Sequence, residues 1–186
     1  MKIIDRRKDT ELIKSCTFIS LCTAAICLSS LFVIPVPFAA VLSFQTVFIN
    51  LTALCLKKRD ALLSVLLYLF MGAVGLPVFS GGTAGLSKLL SPVGGYYFGF
   101  AAAVFLMSCF KGNSPDIRRY LAVTIFIGIP VEHIFAVIFM SIISHTSLWS
   151  AFTAVSLPFI IGDIIKAFAS SVIAVPLNKA LRNARY

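Results

Sequence analysis

Long apolar stretches punctuated by short basic clusters constrain this chain more than any other feature. Near-continuous hydrophobic runs recur along the whole sequence. Crossing a hydrocarbon core of about 30 Å takes roughly 20 such residues in a helix. Only 12% of the residues are charged and 59% are hydrophobic. An average soluble domain has about 25% charged and roughly 45–50% apolar residues. A soluble fold of this size could not bury so much apolar surface. We therefore expect an all-α membrane protein, a single integral membrane domain over residues 1–186.

Six transmembrane helices are expected, over residues 12–34, 37–56, 61–78, 94–110, 117–143 and 157–181. Pro35 and Pro37 break the first, and Pro37 is tolerated in the first turn of the second. Asp60 is the expected cap of the third, and Ser114-Pro115 the expected cap and first position of the fifth. The charges then sort by side. Lys2, Arg6, Arg7, Lys8 and Lys14 open helix one, and Lys57, Lys58 and Arg59 join helices two and three. Lys111, Arg118 and Arg119 join helices four and five, and Lys179, Arg182 and Arg185 follow helix six. With six spans all of these fall on one side, and the opposite loops carry only Lys88. Five or seven spans would scatter them. An excess of Lys and Arg marks the cytoplasmic face, so both termini are expected in the cytoplasm of a plasma-membrane protein.

The net charge of +9 does not imply nucleic acid, because its clusters sit between apolar stretches without aromatic interleaving. Cys16, Cys22, Cys27, Cys55 and Cys109 all lie in apolar stretches, and no pair has C-x-x-C spacing. They read as helix-packing residues. The N-terminal basic segment runs into an apolar stretch long enough to span, without a clear small-residue cleavage site. Residues Gly82 to Lys88 do not form a phosphate loop, because Ser87 precedes the lysine and Leu89 follows it. No ATPase machinery, metal triad or nucleophile–base pair is visible, so neither an enzyme nor a cofactor is expected.

Two features point to a binding site. The first is the outward Gly-rich segment of residues 75–85, which resumes at 91–96. It holds Leu76, Val78, Phe79, Leu86, Leu89 and Leu90, so it wants to pack, as a lid over the outer mouth or as an ordinary loop. The second is the set of ionisable residues inside the spans: Glu132, His133, Asp163 and Lys166. Asp or Lys near a helix centre costs about 2.5–3.5 kcal/mol on insertion scales and usually marks a site. Asp163 and Lys166, three apart, share a helical face as a neutralised structural pair or a polar ligand's anchor. Asp163 is expected about 9 Å in from the outer end of helix six, and Gln45 about 12 Å in along helix two. Tyr96 opens helix four at its outer end. Gln45, Tyr96, Asp163, Lys166 and the loop can then converge on a small polar ligand with an apolar body. Asn50, deeper, either joins them or bonds between helices. Glu132 and His133, pointing to different faces near mid-membrane, either relay protons or leave Glu132 to pair with a neighbouring base. No chain of titratable groups continues them.

These residues resemble the BioY family, the biotin-binding membrane subunits (S components) of energy-coupling-factor (ECF) vitamin transporters. The resemblance covers most of the chain. Its ordered motifs are Leu-Leu-Tyr-Leu (66–69), Gly72, Gly-Leu-Pro-Val-Phe-Ser-Gly-Gly-Thr (75–83) and Pro-Val-Gly-Gly-Tyr (92–96). Upstream stand Pro-Val-Pro-Phe (35–38) and Ser-Phe-Gln-Thr (43–46), and downstream Ile-Gly-Asp-Ile-Ile-Lys (161–166). The chain departs from the family pattern at Thr83-Ala84-Gly85, Ser91-Pro92-Val93 and Leu51-Thr52-Ala53. Glu132 and His133 occupy a stretch expected to be apolar.

The resemblance implies an S-component bundle that captures biotin from outside. Its partners would be a transmembrane coupling protein and two cytosolic ATPases. Members working without that module leave a standalone, proton-coupled transporter of biotin or a related vitamin as the alternative. Carried over, Asp163 accepts the ureido N–H donors, and Lys166 donates to the ureido oxygen or orients Asp163. Gln45 and Tyr96 supply further bonds, and Lys88 is the candidate for the ligand's carboxylate. Phe79, Gly81, Gly82, Thr83 and Gly85 cover the bicyclic body. Cys16, Ser20 and Ala24, at four-residue spacing on helix one, would touch the coupling protein.

Overall fold

The computed structural model describes residues 2–36 and 40–183. The chain folds into a helical bundle whose six principal segments follow one another in sequence. They are α1 (Lys2–Ser29), α2 (Gln45–Cys55), α3 (Lys58–Ala73), α5 (Gly95–Phe110), the continuous run from α6 (Ile117–Val123) into α7 (Ile129–Ser144), and α9 (Ile160–Asn183). Two short helices lie between them, α4 (Leu86–Leu89) and α8 (Leu148–Val155). Three stretches are long and apolar enough to cross a bilayer unaided: Asp9–Ser29, Ile117–Ser144 and Ile160–Arg182. Their outward faces carry large exposed side chains such as Leu21, Phe126, Ile161 and Phe168. Such all-round apolarity belongs in lipid.

The connection between the first two segments corrects the sequence expectation. Helix one ends at Ser29 rather than at 34, and Val33–Val36 (β1) pairs antiparallel with Ala40–Ser43 (β2). Pro37, expected to open helix two, lies outside the described residues. The helix instead begins at Gln45, which places that residue at the helix entrance, not 12 Å along it. The cause is the apolar, β-branched run around the prolines. Proline has no N–H for an interior helix turn but sits at a strand edge. At 11 residues, α2 spans only about 16 Å.

Three other boundaries shift. Helix α3 starts at Lys58, so Asp60 is not its cap but sits in its first turn, where a carboxylate meets the positive end of the helix. The cap of α6 is Asp116, whose carboxylate accepts from the Arg118 amide at 3.0 Å, rather than Ser114. The last helix begins at Ile160, and the segment before it forms α8, capped by Ser147. Between α6 and α7 the helix widens into a π-helical turn, Thr124–Gly128, just ahead of Pro130. Proline removes an amide from the helical ladder, and such single-turn bulges occur frequently at functional sites.

The two ends of the bundle differ in chemistry. At one end Lys57 pairs with Glu11 at 3.8 Å, and Ser15 donates to Asp60 at 3.1 Å. The Lys111 ammonium donates to the Ala53 carbonyl at 2.9 Å and to that of Leu56, closing the C-terminus of α2. Asn178 of α9 donates to the Leu54 carbonyl at 3.1 Å beside Tyr120. The basic connections thus gather at a single end, as the six-segment reading requires. The opposite end is closed by the Gly-rich loop. Its Gly81 amide donates to the Ser30 carbonyl at 3.0 Å, and its Gly85 amide to the Gly72 carbonyl at 2.8 Å.

Phe79 anchors that loop. Its ring is fully buried, edge-on to Tyr68 at 5.6 Å and tilted against Tyr97 at 4.6 Å. It lies so close over α3 that a Cβ at Gly72 would sit 2.1 Å from the ring. Past the ring, Gly81 and Gly82 take φ of 75° and 71°, values open to glycine at little cost. Gly72→Ala is therefore expected to displace the ring and cost about 1–3 kcal/mol, the usual range for overpacking. The check is a detergent melting curve against Ala73→Gly, where the propensity cost is at most about 1 kcal/mol. An unshifted Gly72→Ala melt would contradict the packing.

Candidate functional site

At the loop-covered end, α5, α7 and α9 bring together the residues that are most costly to bury. Asp163 stands in the first turn of α9 and is almost fully buried. One carboxylate oxygen accepts from Lys166 Nζ at 2.7 Å. The other faces His133 Nε2 at 3.1 Å. The second imidazole nitrogen, Nδ1, lies 2.7 Å from Ser156 Oγ and 3.2 Å from Tyr96 Oη. Tyr96 spends its own proton on the Val155 carbonyl. An ionised carboxylate only accepts, so Nε2 carries a proton toward Asp163. The contacts of Nδ1 with Ser156 and Tyr96 tie the imidazole to the α8 turn and to α5.

The sequence shows why these groups meet. Asp163 and Lys166 are one helical turn apart on α9. The His133 ring reaches them because α7 packs closely on α5 at Gly95 and Gly99. A Cβ at Gly95 would stand 2.4 Å from the Phe135 carbonyl. A Cβ at Gly99 would meet Glu132 Cα at 3.0 Å. Ser156 and Val155 arrive through α8 and the turn that follows it. The expectation that no titratable chain continues Glu132 and His133 is thus corrected, because His133 connects α9, α5 and the α8 turn. Neighbouring helix positions lie about 100° apart. Both side chains are nonetheless buried, and here both turn toward α5 and α9.

A second group lies under the loop. Gln45 is buried at the entrance of α2 with its amide beside the Tyr68 hydroxyl. Its Nε2 has no hydrogen-bond partner among the described residues, nor has Tyr68 Oη. Phe79 packs on Tyr68 and Tyr97 there, forming an aromatic wall. Consecutive tyrosines on α5 serve the two groups: Tyr96 belongs to the polar cluster and Tyr97 to the aromatic one. Phe100, one turn on, touches both rings at 6.3 and 6.0 Å. The site therefore joins a polar corner to an aromatic wall, the arrangement that suits a ligand with a polar head and an apolar body.

The other expected residues fall into place unevenly. Asn50 is buried on α2. Thr83 is exposed, its hydroxyl donating to the Ser80 carbonyl at 3.1 Å. Gly81, Gly82 and Gly85 shape the loop around Phe79 rather than lying beside Asp163. Lys88 stands half-buried on α4, which packs on α3. No hydrogen bond or ion pair joins it to the polar cluster among the described residues. Cys16, Ser20 and Ala24 are all exposed along one side of α1. Sequence reasoning missed Ser156, Tyr68 and Tyr97. Tyr68 lies within a quoted motif and Tyr97 directly follows one, whereas nothing local to Ser156 distinguishes it from other loop serines.

The family model described as "BioY family" matches residues 5–183. The chain belongs to the BioY family. A probable biotin transporter BioY of Pyrococcus horikoshii is 35% identical over 144 residues, 77% of this chain and 82% of that protein. The biotin transporter BioY of Thermotoga maritima is 32% identical over 145 residues, 78% and 82% of the two chains. The biotin transporter BioY2 of Lactococcus lactis subsp. cremoris is 31% identical over 175 residues, 90% and 91%. Among solved structures, the S-component for biotin from an ECF-type ABC transporter superposes with a TM-score of 0.79. It is 26% identical, with 91% of this chain and 93% of that chain covered. BioY relatives are transporters by name, and the multi-pass helical bundle found here is the S-component fold.

The BioY-type pair on α9 yields a test that needs no ligand. Removing one partner of a buried ion pair strands the other and costs about 3–5 kcal/mol. Lys166→Met is expected to lose an amount of that order in detergent melting. Adding Asp163→Asn should recover part of the loss, as contacting residues are non-additive. Strictly additive losses would contradict a paired Asp163.

Proposed function

We propose that this protein is the biotin-binding S component of an ECF-type importer, capturing biotin from outside for delivery to the cytoplasm. The observation that carries the reading is the Asp163–Lys166 pair, held by His133 beneath a folded Gly-rich loop. BioY family membership and the biotin transporters among its relatives supply the ligand. Biotin's ureido ring offers two N–H donors and one acceptor, which suit a carboxylate next to an ammonium. Its fused rings and chain suit the wall of Phe79, Tyr97 and Phe100. Gln45 and Tyr96 supply further polar contacts, and Lys88 faces the ligand's carboxylate from the loop. The loop residues Gly81, Gly82, Thr83 and Gly85 close over the site, with Asn50 as its floor.

In this reading residues 1–186 form one membrane domain in the plasma membrane. The basic end of the bundle faces the cytoplasm, as the positive-inside rule requires. Both termini lie there, and the loop-covered end faces outward. The exposed row Cys16, Ser20 and Ala24 meets a transmembrane coupling protein, whose two cytosolic ATPases drive release. Small residues let helices approach closely in lipid.

Equilibrium binding of labelled biotin to purified protein is expected to be tight. Asp163→Asn and Lys166→Ala should each weaken it at least tenfold, the scale of one lost charge-assisted bond. Tight binding untouched by both changes would overturn the site. In liposomes, uptake should require the coupling protein, its ATPases and ATP. Uptake without them, abolished by collapsing a proton gradient, would replace the ECF reading with a proton-coupled one.

A further inference from the structure

One buried ionisable group remains unused by the cluster described above. Glu132 is 3% exposed, and its Oε1 is sealed from solvent without a hydrogen-bond partner among the described residues. A buried carboxyl without partners is costly, and an orphan of this kind calls for a specific explanation. Its surroundings identify one. Glu132 lies within electrostatic reach of both Asp163 and Lys166, and Tyr96 interacts with Glu132 and Asp163 alike. The next residue, His133, hydrogen-bonds Asp163 directly. Gly99 on α5 gives Glu132 its place, because any larger residue would press on the Glu132 backbone at 3.0–3.1 Å. The site thus contains two carboxyl groups, and they differ in one respect. Both Asp163 oxygens already have protein partners, in Lys166 and His133. Of the two carboxyl groups, Glu132 holds the oxygen left without a partner among the described residues.

We propose that Glu132 is a ligand-contacting residue whose Oε1 accepts one ureido N–H of the bound biotin, dividing recognition of the two ureido N–H groups with Asp163. This rests on the biotin reading of the site. Asp163, held on both oxygens, supplies a fixed acceptor for one N–H. Glu132, on the neighbouring helix, supplies the acceptor for the other. A site that pairs each donor of a ligand rejects analogues lacking one, because its own buried group is then left unpaired. Glu132 would accordingly set selectivity for an unsubstituted ureido ring.

The test measures equilibrium binding of biotin and of its two mono-N-methyl ureido isomers. The proteins are the wild type, Glu132→Leu and Glu132→Met, each checked for an unchanged gel-filtration profile. Glu132→Leu is expected to bind biotin about tenfold more weakly or worse, the ratio one such bond supplies. One methyl isomer should lose at least about tenfold against wild type, yet lose under about threefold against Glu132→Leu, where its partner is already gone. A merely structural role for Glu132 would leave both isomers losing the same factor in both proteins, and that result overturns the proposal. Should Glu132→Leu fail to fold, Glu132→Met, of similar length but without a carbonyl acceptor, decides by the same comparison: about tenfold weaker biotin binding is expected, and wild-type affinity overturns the proposal. Wild-type protein that binds no biotin would overturn the transport reading itself, and this inference with it. Biotin binding that stays strong in the Glu132 variants but fails in Asp163→Asn would remove Glu132 alone.

Discussion

The ion pair between Asp163 and Lys166 is the constraint around which the rest of this bundle is arranged. Charges within an apolar helix are affordable only when paired and hydrogen-bonded. Each neighbouring element contributes to that condition. α7 supplies His133, the α8 turn supplies Ser156 for the far side of the imidazole, and α5 supplies Tyr96. The close approach of α5 and α7 at Gly95 and Gly99 brings the imidazole within reach. The π-helical turn upstream comes one residue before α7 itself begins.

The other half of the site depends on packing rather than charge. The Gly-rich segment is anchored through Phe79 and tied by backbone bonds to the ends of α1 and α3. It covers the bundle without a regular element of its own beyond the single turn of α4. Its glycines turn the chain around the ring, and Gly72 leaves room beneath it. The polar corner and the aromatic wall meet along α5, where Tyr96 joins one, Tyr97 the other, and Phe100 touches both. One helix thereby fixes the distance between the polar corner and the aromatic wall.

Much of this was legible in the sequence. The six segments and the shared end of the basic clusters follow from apolar runs and from Lys57, Lys111, Arg118 and Arg182. The Asp163/Lys166 face follows from helical spacing. Local rules failed where tertiary partners decide. Ser114 and Asp60 are good caps in isolation, but Asp116 and Lys57 occupy those positions. The proline-containing run after Ser29 reads as a helix break, and only pairing with residues 40–43 shows that it becomes a hairpin. The role of His133 was invisible because its partners come from segments 23 to 37 residues away. Spacing within one helix cannot reveal such contacts. The resemblance to BioY supplied the ligand, which no spacing rule contains, while Glu132 and His133 are the positions where this chain departs from that pattern.

The most direct test of the account is the identity and amount of the small molecule that accompanies the protein when it is purified gently from biotin-replete cells. Mass spectrometry of the heat-released fraction is predicted to find close to one biotin per chain in the wild type and little in Asp163→Asn. Another compound at that stoichiometry, or biotin retained equally by the Asp163→Asn protein, would contradict the claim that this cluster captures biotin.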